Sequence, residues 1–243
     1  MRDLPELFSG MVIISAKRRG ENLSKSYFIG YEKEYHEKAH EGRIKHELIF
    51  KLEAERSRKE YFENIAPDAS ILDYGGGMGQ NVFLMKNAIV YDISAFAITF
   101  CRKKGMKATD DLELIPNGSL DIVICSHVLE HVKEPINLLQ TIKSKLKTDG
   151  KAIIVLPVEK PSYSDFEPDA DQHLYAWNFR TINNLLMKNN FKIEKNKFLY
   201  INTGLKKLLF LAKLNFRLYY FFTYIIGRLL DSREMVIVAR KVV

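Results

Sequence analysis

The chain has 243 residues, 47% of them hydrophobic, and a formal charge of +7. That length and apolar content exclude a disordered chain or a small disulfide scaffold and fit one domain with additions. The positive excess is diffuse except toward the C-terminal end, so it does not compel nucleic acid as a partner, and none is expected.

Residues 1–26 are mixed and carry Lys17-Arg18-Arg19; they read as an irregular arm or short helix. The apolar run at 11–14 is too short for a secretion leader, and the basic residues follow it, so none is expected. Tyr27, Tyr31 and Tyr35 recur every fourth residue and would share one helical face, which on spacing alone reads as packing on the core. Residues 43–64 have a helical pattern, with Pro67 ending it. His36, His40 and His46 read as surface residues of these helices.

The chain then turns on Ile71-Leu72-Asp73-Tyr74-Gly75-Gly76-Gly77-Met78-Gly79. A short apolar strand ends in a carboxylate and breaks into four glycines; a short helix is expected from residue 80. Glycine permits positive φ in the turn and lets a ligand approach the backbone. Asp73 at the strand end suits a ligand with an amino group and would repel a pyrophosphate. A second strand, 88–92, ends in Asp92-Ile93, placed to accept hydrogen bonds from ribose hydroxyls. The implied ligand is a nucleoside with a cationic amine and no phosphate chain.

Further on, a helix is expected over 94–104, a very short strand over 106–108 with Asp110 and Asp111 after it, and a fourth strand over 121–125 ending at Ser126. Pro135 suits the start of a helix. A fifth strand, 151–156, ends at Pro157, and 158–173 is a polar loop of the length that often binds substrate. A helix over 181–189 and strands over 191–201 and 234–240 complete the pattern. Strands alternating with helices argue for a mostly parallel sheet covered on both faces, with ligands beyond the carboxyl ends of its strands. Asp73, Asp92, Asp110 or Asp111, Ser126 and Pro157 all fall there. Cys101 and Cys125, the two cysteines, sit in apolar settings and read as reduced core residues of an intracellular protein. They have no metal-ligand spacing, and no metal is expected.

Asp73-Tyr74-Gly75-Gly76-Gly77-Met78-Gly79 resembles the Asp-x-Gly-x-Gly-x-Gly motif of class I S-adenosylmethionine-dependent methyltransferases. Ser126-His127-Val128-Leu129-Glu130-His131 resembles the fourth-strand signature of their small-molecule branch. The resemblance covers about residues 60–200 and the last strand. It implies a Rossmann-like α/β fold of seven strands, with an antiparallel last strand inserted between the fifth and sixth. The N-terminal arm and helical lid would span 1–66 and the methyltransferase domain 67–243. It further implies S-adenosyl-L-methionine as cofactor, held by Asp73, Gly75, Gly77, Gly79, Asp92, Ile93, Asp110, Asp111 and Ser126, with Tyr35 in the lid. One of the two aspartates, Asp110 or Asp111, should approach the adenine amino group. The expected activity is methylation of a small or lipid-linked acceptor at oxygen, of the surface-glycan precursor or prenyl-quinone type. A hydroxyl acceptor needs a base, and His173 is favoured ahead of His131. The alternative is a non-catalytic subunit of the same fold.

Residues 205–230 exceed the link expected between the last two strands. On a helical wheel Lys206, Lys213, Arg217, Tyr220, Tyr224 and Arg228 fall on one side of an otherwise apolar helix. The longest uncharged run is too short to span a bilayer. Packing on the chain's own core, a homodimer contact and a membrane surface all remain open. The expected location is cytoplasmic, with peripheral attachment at the inner membrane face if the membrane reading holds.

Overall fold

The computed structural model of the chain describes residues 33–159, 173–200 and 208–242. Tyr27, Tyr31, most of the polar loop (160–172) and residues 205–207 lie outside these. Seven strands form one sheet in the order β3-β2-β1-β4-β5-β7-β6. They are β1 (Ile71–Tyr74), β2 (Ala88–Tyr91), β3 (Lys107–Thr109), β4 (Leu120–Ser126), β5 (Leu146–Pro157), β6 (Phe191–Tyr200) and β7 (Arg233–Lys241). Neighbouring pairs are parallel from β3 across to β5. β7 runs antiparallel to both β5 and β6, as expected for a strand inserted between them.

Side-chain alternation explains the two covered faces. Leu72, Val123, Cys125 and Ile154 point to one face, where Leu138, Leu139 and Ile142 of α5 (Pro135–Lys145) and Ile182 and Leu186 of α6 (Phe179–Lys188) close the core. Ile71, Ile122, Ile124 and Ile153 point to the other, under Tyr61 and Phe62 of α3 (Glu47–Phe62) and Cys101 of α4 (Ala95–Lys103). A smaller core joins Phe50 of α3, Met78 of the glycine turn and Ala97 of α4. Two short helices, α1 (Lys33–Ala39) and α2 (Glu41–Lys45), precede α3, so the helix expected over 43–64 is interrupted at His46, whose backbone is extended.

Two local expectations change. No helix follows the glycines: residues 75–87 return to β2 through tight turns, with the amides of Val82 and Met85 bonded three residues back. The connection is near the shortest that joins parallel strands through a helix, and its glycine turn takes up the first part of it. The helix expected at Thr181 starts earlier, because Asn178 is its cap and Thr181 returns the bond in a reciprocal box. Near the C-terminus, α7 (Leu209–Leu214) and α8 (Phe216–Leu229) form a helical pair, with Asn215 accepting from the first amides of α8.

Candidate active site

β1 delivers Asp73 to the carboxyl edge of the sheet, and the glycines decide what surrounds it. Gly75 has φ +67°, and a Cβ there would stand 2.5 Å from Val128, so neither the conformation nor the space admits a side chain. A Cβ on Gly76 would lie 2.7 Å from the Asp73 carboxyl carbon. The turn is thus folded directly against that carboxylate. Asp73 is 0% exposed, and neither oxygen has a hydrogen-bond partner. Burial pushes its carboxyl up to about 7; the Asn81 side chain opposes the shift and the Asp92 charge adds to it. A buried carboxylate without donors is costly unless a cationic group meets it.

One residue past the end of β2, Asp92 is buried and braces the same turn. Its Oδ2 accepts from the Gly77 amide at 2.8 Å and its Oδ1 from the Ser94 amide at 2.9 Å. Ser94 in turn caps α4 by accepting from the Ala97 amide. Ile93 is partly exposed beside it. The thiol of Cys101 donates to the Gly77 carbonyl at 3.3 Å, and burial pushes that thiol up to about 12, so it stays protonated. At the end of β3 the two candidate aspartates separate. Asp111 caps the 3₁₀ turn Leu112–Leu114 through the Glu113 amide, whereas the neighbouring Asp110 stands exposed.

Over the turn lies the first helical pair. His36 is buried, not on the surface as its sequence context suggests, and its ring stacks with Phe96 of α4 at 6.0 Å. Tyr35 meets His36 and His40 edge-on. The closest atoms to a Cβ built on Gly77 belong to His40 and His36. A histidine every fourth residue (36 and 40) was the available signal, and it marks the face turned toward the glycines.

The second half of the edge starts where β4 ends at the partly buried Ser126. His127 follows with φ 55°, a conformation rare outside glycine and the asparagine-like residues. Its Nδ1 is 3.3 Å from Glu130 and its Nε2 is 3.3 Å from Glu234 at the start of β7. Burial lowers the His127 imidazolium, but both carboxylates outweigh that and raise it. The ring is 40% exposed, so solvent screens part of this pull. On Glu234, the Arg56 guanidinium of α3 and His127 outweigh burial and hold the carboxyl low.

A turn at Leu129 then sends Glu130 inward and His131 toward the loop after β5. Leu174 donates its amide to the Glu130 carbonyl at 2.8 Å, which staples the two segments. His131 and His173, some forty residues apart in sequence, come to a ring separation of 4.8 Å. His173 also bonds through Nδ1 to Glu159, just past β5. The two histidines singled out from sequence therefore belong to one cluster, with Glu130 of the same signature as His131 and with Glu159, which sequence reading did not place there.

No helix of the described residues is long and apolar enough to cross a membrane. Of the three contacts left open for this segment, packing on the chain's own core accounts for part of the α8 side that carries Tyr220 and Tyr224. Tyr220 bonds to Glu60, Tyr224 meets Tyr200, and Tyr219, Thr223 and Gly227 are buried. Leu218, Phe221, Phe222 and Leu229 are left exposed, beside exposed Lys213, Arg217 and Arg228.

Residues 44–196 match the model of a methyltransferase domain family. No curated protein matches the chain. Among solved structures, a SAM-dependent methyltransferase from Archaeoglobus fulgidus shares 21% identity at a TM-score of 0.56, over 85% of this chain and 98% of that one. A SAM-dependent methyltransferase from Thermotoga maritima, described as a possible histamine N-methyltransferase, shares 15% identity at 0.56, over 86% and 99%. The 1,6-didemethyltoxoflavin-N1-methyltransferase of Burkholderia thailandensis, solved with that substrate and S-adenosylhomocysteine, shares 16% identity at 0.55, over 86% of each chain.

Proposed function

The chain belongs to the methyltransferase domain family, and from that premise we propose that it binds S-adenosylmethionine at the carboxyl edge of the sheet and methylates an oxygen of a small or lipid-linked acceptor. The observation that carries the reading is Asp73: a fully buried carboxylate with two unpartnered oxygens, facing a turn of glycines. It fits the ammonium of an amino-acid moiety. Asp92 and Ile93 would hold the ribose, Asp110 the adenine amino group, and Ser126 with the amides of the Gly75–Gly79 turn the remaining polar atoms. Asp111 is already committed to its cap and is the lesser candidate. Residues 1–66 would act as an arm and lid, with Tyr35 and His36 excluding water above the turn.

When bound, the cofactor supplies a methyl group already activated by positive sulfur, so the protein's main task is to orient an acceptor. An oxygen acceptor must lose a proton, and the His131–His173 pair is where this chain can receive it. Glu159 fixes the His173 ring through Nδ1, which leaves Nε2 as the ring atom to accept a proton. The exposed apolar side of α8 with its flanking cations suits an amphiphilic acceptor presented at a membrane surface. Nitrogen acceptors, as in the names of two fold neighbours, are the competing chemistry. Incubation with methyl-labelled S-adenosylmethionine and matched hydroxyl and amine amphiphiles tests the choice. Label stable to acid on the hydroxyl compound is the expected product; label on the amine alone would overturn it.

A further inference from the structure

We propose that Glu130, His131 and His173 form a binding site for one divalent transition-metal ion. One potential ligand atom from each of the three lies within 4.8 Å of the others. The set departs from the sequence expectation of no metal, because its members come from the turn after β4 and from the far end of the loop after β5.

Three observations point to a cation. Glu130 is 0% exposed, and neither of its oxygens makes a well-formed hydrogen bond; its near neighbour is the His127 ring at 3.3 Å. A carboxylate so buried needs compensation beyond one poorly aligned ring nitrogen. His173 is oriented by a carboxylate on its other nitrogen, the arrangement that fixes the tautomer and raises the basicity of metal-binding imidazoles. The backbone bond from Leu174 to the Glu130 carbonyl holds the two segments in place without using ligand atoms. Two imidazoles and one carboxylate suit Zn²⁺ or Mn²⁺ better than Mg²⁺ or Ca²⁺, which prefer all-oxygen shells. Three protein ligands leave positions open for an oxygen-bearing acceptor, whose coordinated hydroxyl would release its proton to solvent more readily; with the ion bound, His131 and His173 act as its ligands and the ion replaces them as the means of deprotonation. This deepens the proposed oxygen methylation and rests on it for the role of the ion, though not for the site itself.

The test uses the full chain stripped with chelator and titrated with Zn²⁺ and Mn²⁺ by calorimetry, with thermal unfolding in parallel. One ion per chain is expected, with a rise in Tm. His131→Ala and His173→Ala should each weaken binding about 100-fold, and Glu159→Gln by roughly 10-fold, the scale of an outer partner. Exposed His46→Ala should leave binding unchanged, as should Asp73→Asn. Glu130→Gln is informative if folded, and the two histidine variants stand if it is not. Absence of binding, or binding that survives both histidine variants, would overturn the site. Metal binding without any affinity for S-adenosylmethionine would instead refute the proposed function while leaving the site intact. Cofactor binding without metal does the reverse.

Discussion

The two halves of the sheet edge are built in different ways. On one side, the glycine turn, Asp73, Asp92, Ser94 and α4 come from a single stretch of about thirty residues and are tied by short backbone bonds. On the other, Glu130, Glu159, His173 and Glu234 arrive from four separated segments and meet only because β4, β5 and β7 lie side by side. In the proposed function, the local half would serve a ligand of fixed chemistry with a rigid cradle. The assembled half would hold the acceptor and could change with its loops without disturbing that cradle.

The sharpest way to break this division is His173→Ala. Turnover should fall by about 10²–10⁴-fold while cofactor affinity stays within about twofold. Parallel loss of both, measured by kinetics and calorimetry, would mean that the halves are not separable. Next in size is Asp92→Ala. It removes the proposed ribose acceptor and frees the Gly77 and Ser94 amides, so the cofactor Kd should rise about 10- to 100-fold. Unchanged affinity would remove Asp92 from the site.

A third effect is set by pH. Asp73 titrates at about 7 in the fold against an ordinary value near 3.8. Below about pH 4 it is protonated folded or unfolded, and the fold loses nothing to it. Between there and pH 7 the unfolded chain ionises first, so the unliganded fold loses stability as pH rises, and the loss levels off above 7. Cofactor affinity should move the other way, because the ammonium requires the ionised form. About a tenfold gain is expected between pH 6 and pH 8, and Asp73→Asn should flatten it. A flat profile in the wild type would place the ammonium elsewhere.

The smallest change in stability is expected for Leu218, Phe221 and Phe222 replaced together by Gln. They are exposed, so unfolding free energy should shift by only about 0.5 kcal/mol per site. Association with anionic liposomes should nevertheless be lost. Deleting the whole segment is a poorer test, since α8 buries Tyr219, Thr223 and Gly227 against the protein. A wild-type chain that never associates with such liposomes would end the membrane reading.

The same division explains what was legible in the sequence. The mostly parallel sheet, with Asp73 and Asp92 at the carboxyl ends of its strands, followed from alternating apolar runs that end in acidic residues, whereas the inserted antiparallel last strand followed from the family resemblance. These are local patterns, and topology brings their ends together. The missing helix after Gly79 failed because connection length overrides local pattern. The burial of His36 was missed because it depends on α1 meeting α4, a contact between segments sixty residues apart. The partnership of Glu130 and Glu159 with the two histidines was hidden for the same reason. His131 and His173 were identifiable one at a time, but their 4.8 Å approach depends on a contact between residues 173–174 and the turn after β4.

The most direct test of the central claim is calorimetric titration of the wild-type chain and Asp73→Asn with S-adenosylmethionine at pH 8, with NAD as control. Saturable binding of one equivalent to the wild type, about 30-fold weaker in the variant (~2 kcal/mol, the scale of a buried charge pair), and none of NAD is the predicted result. Equal affinity of the two proteins, or binding of NAD in place of the sulfonium compound, would contradict the assignment of the buried carboxylate and the cradle built around it.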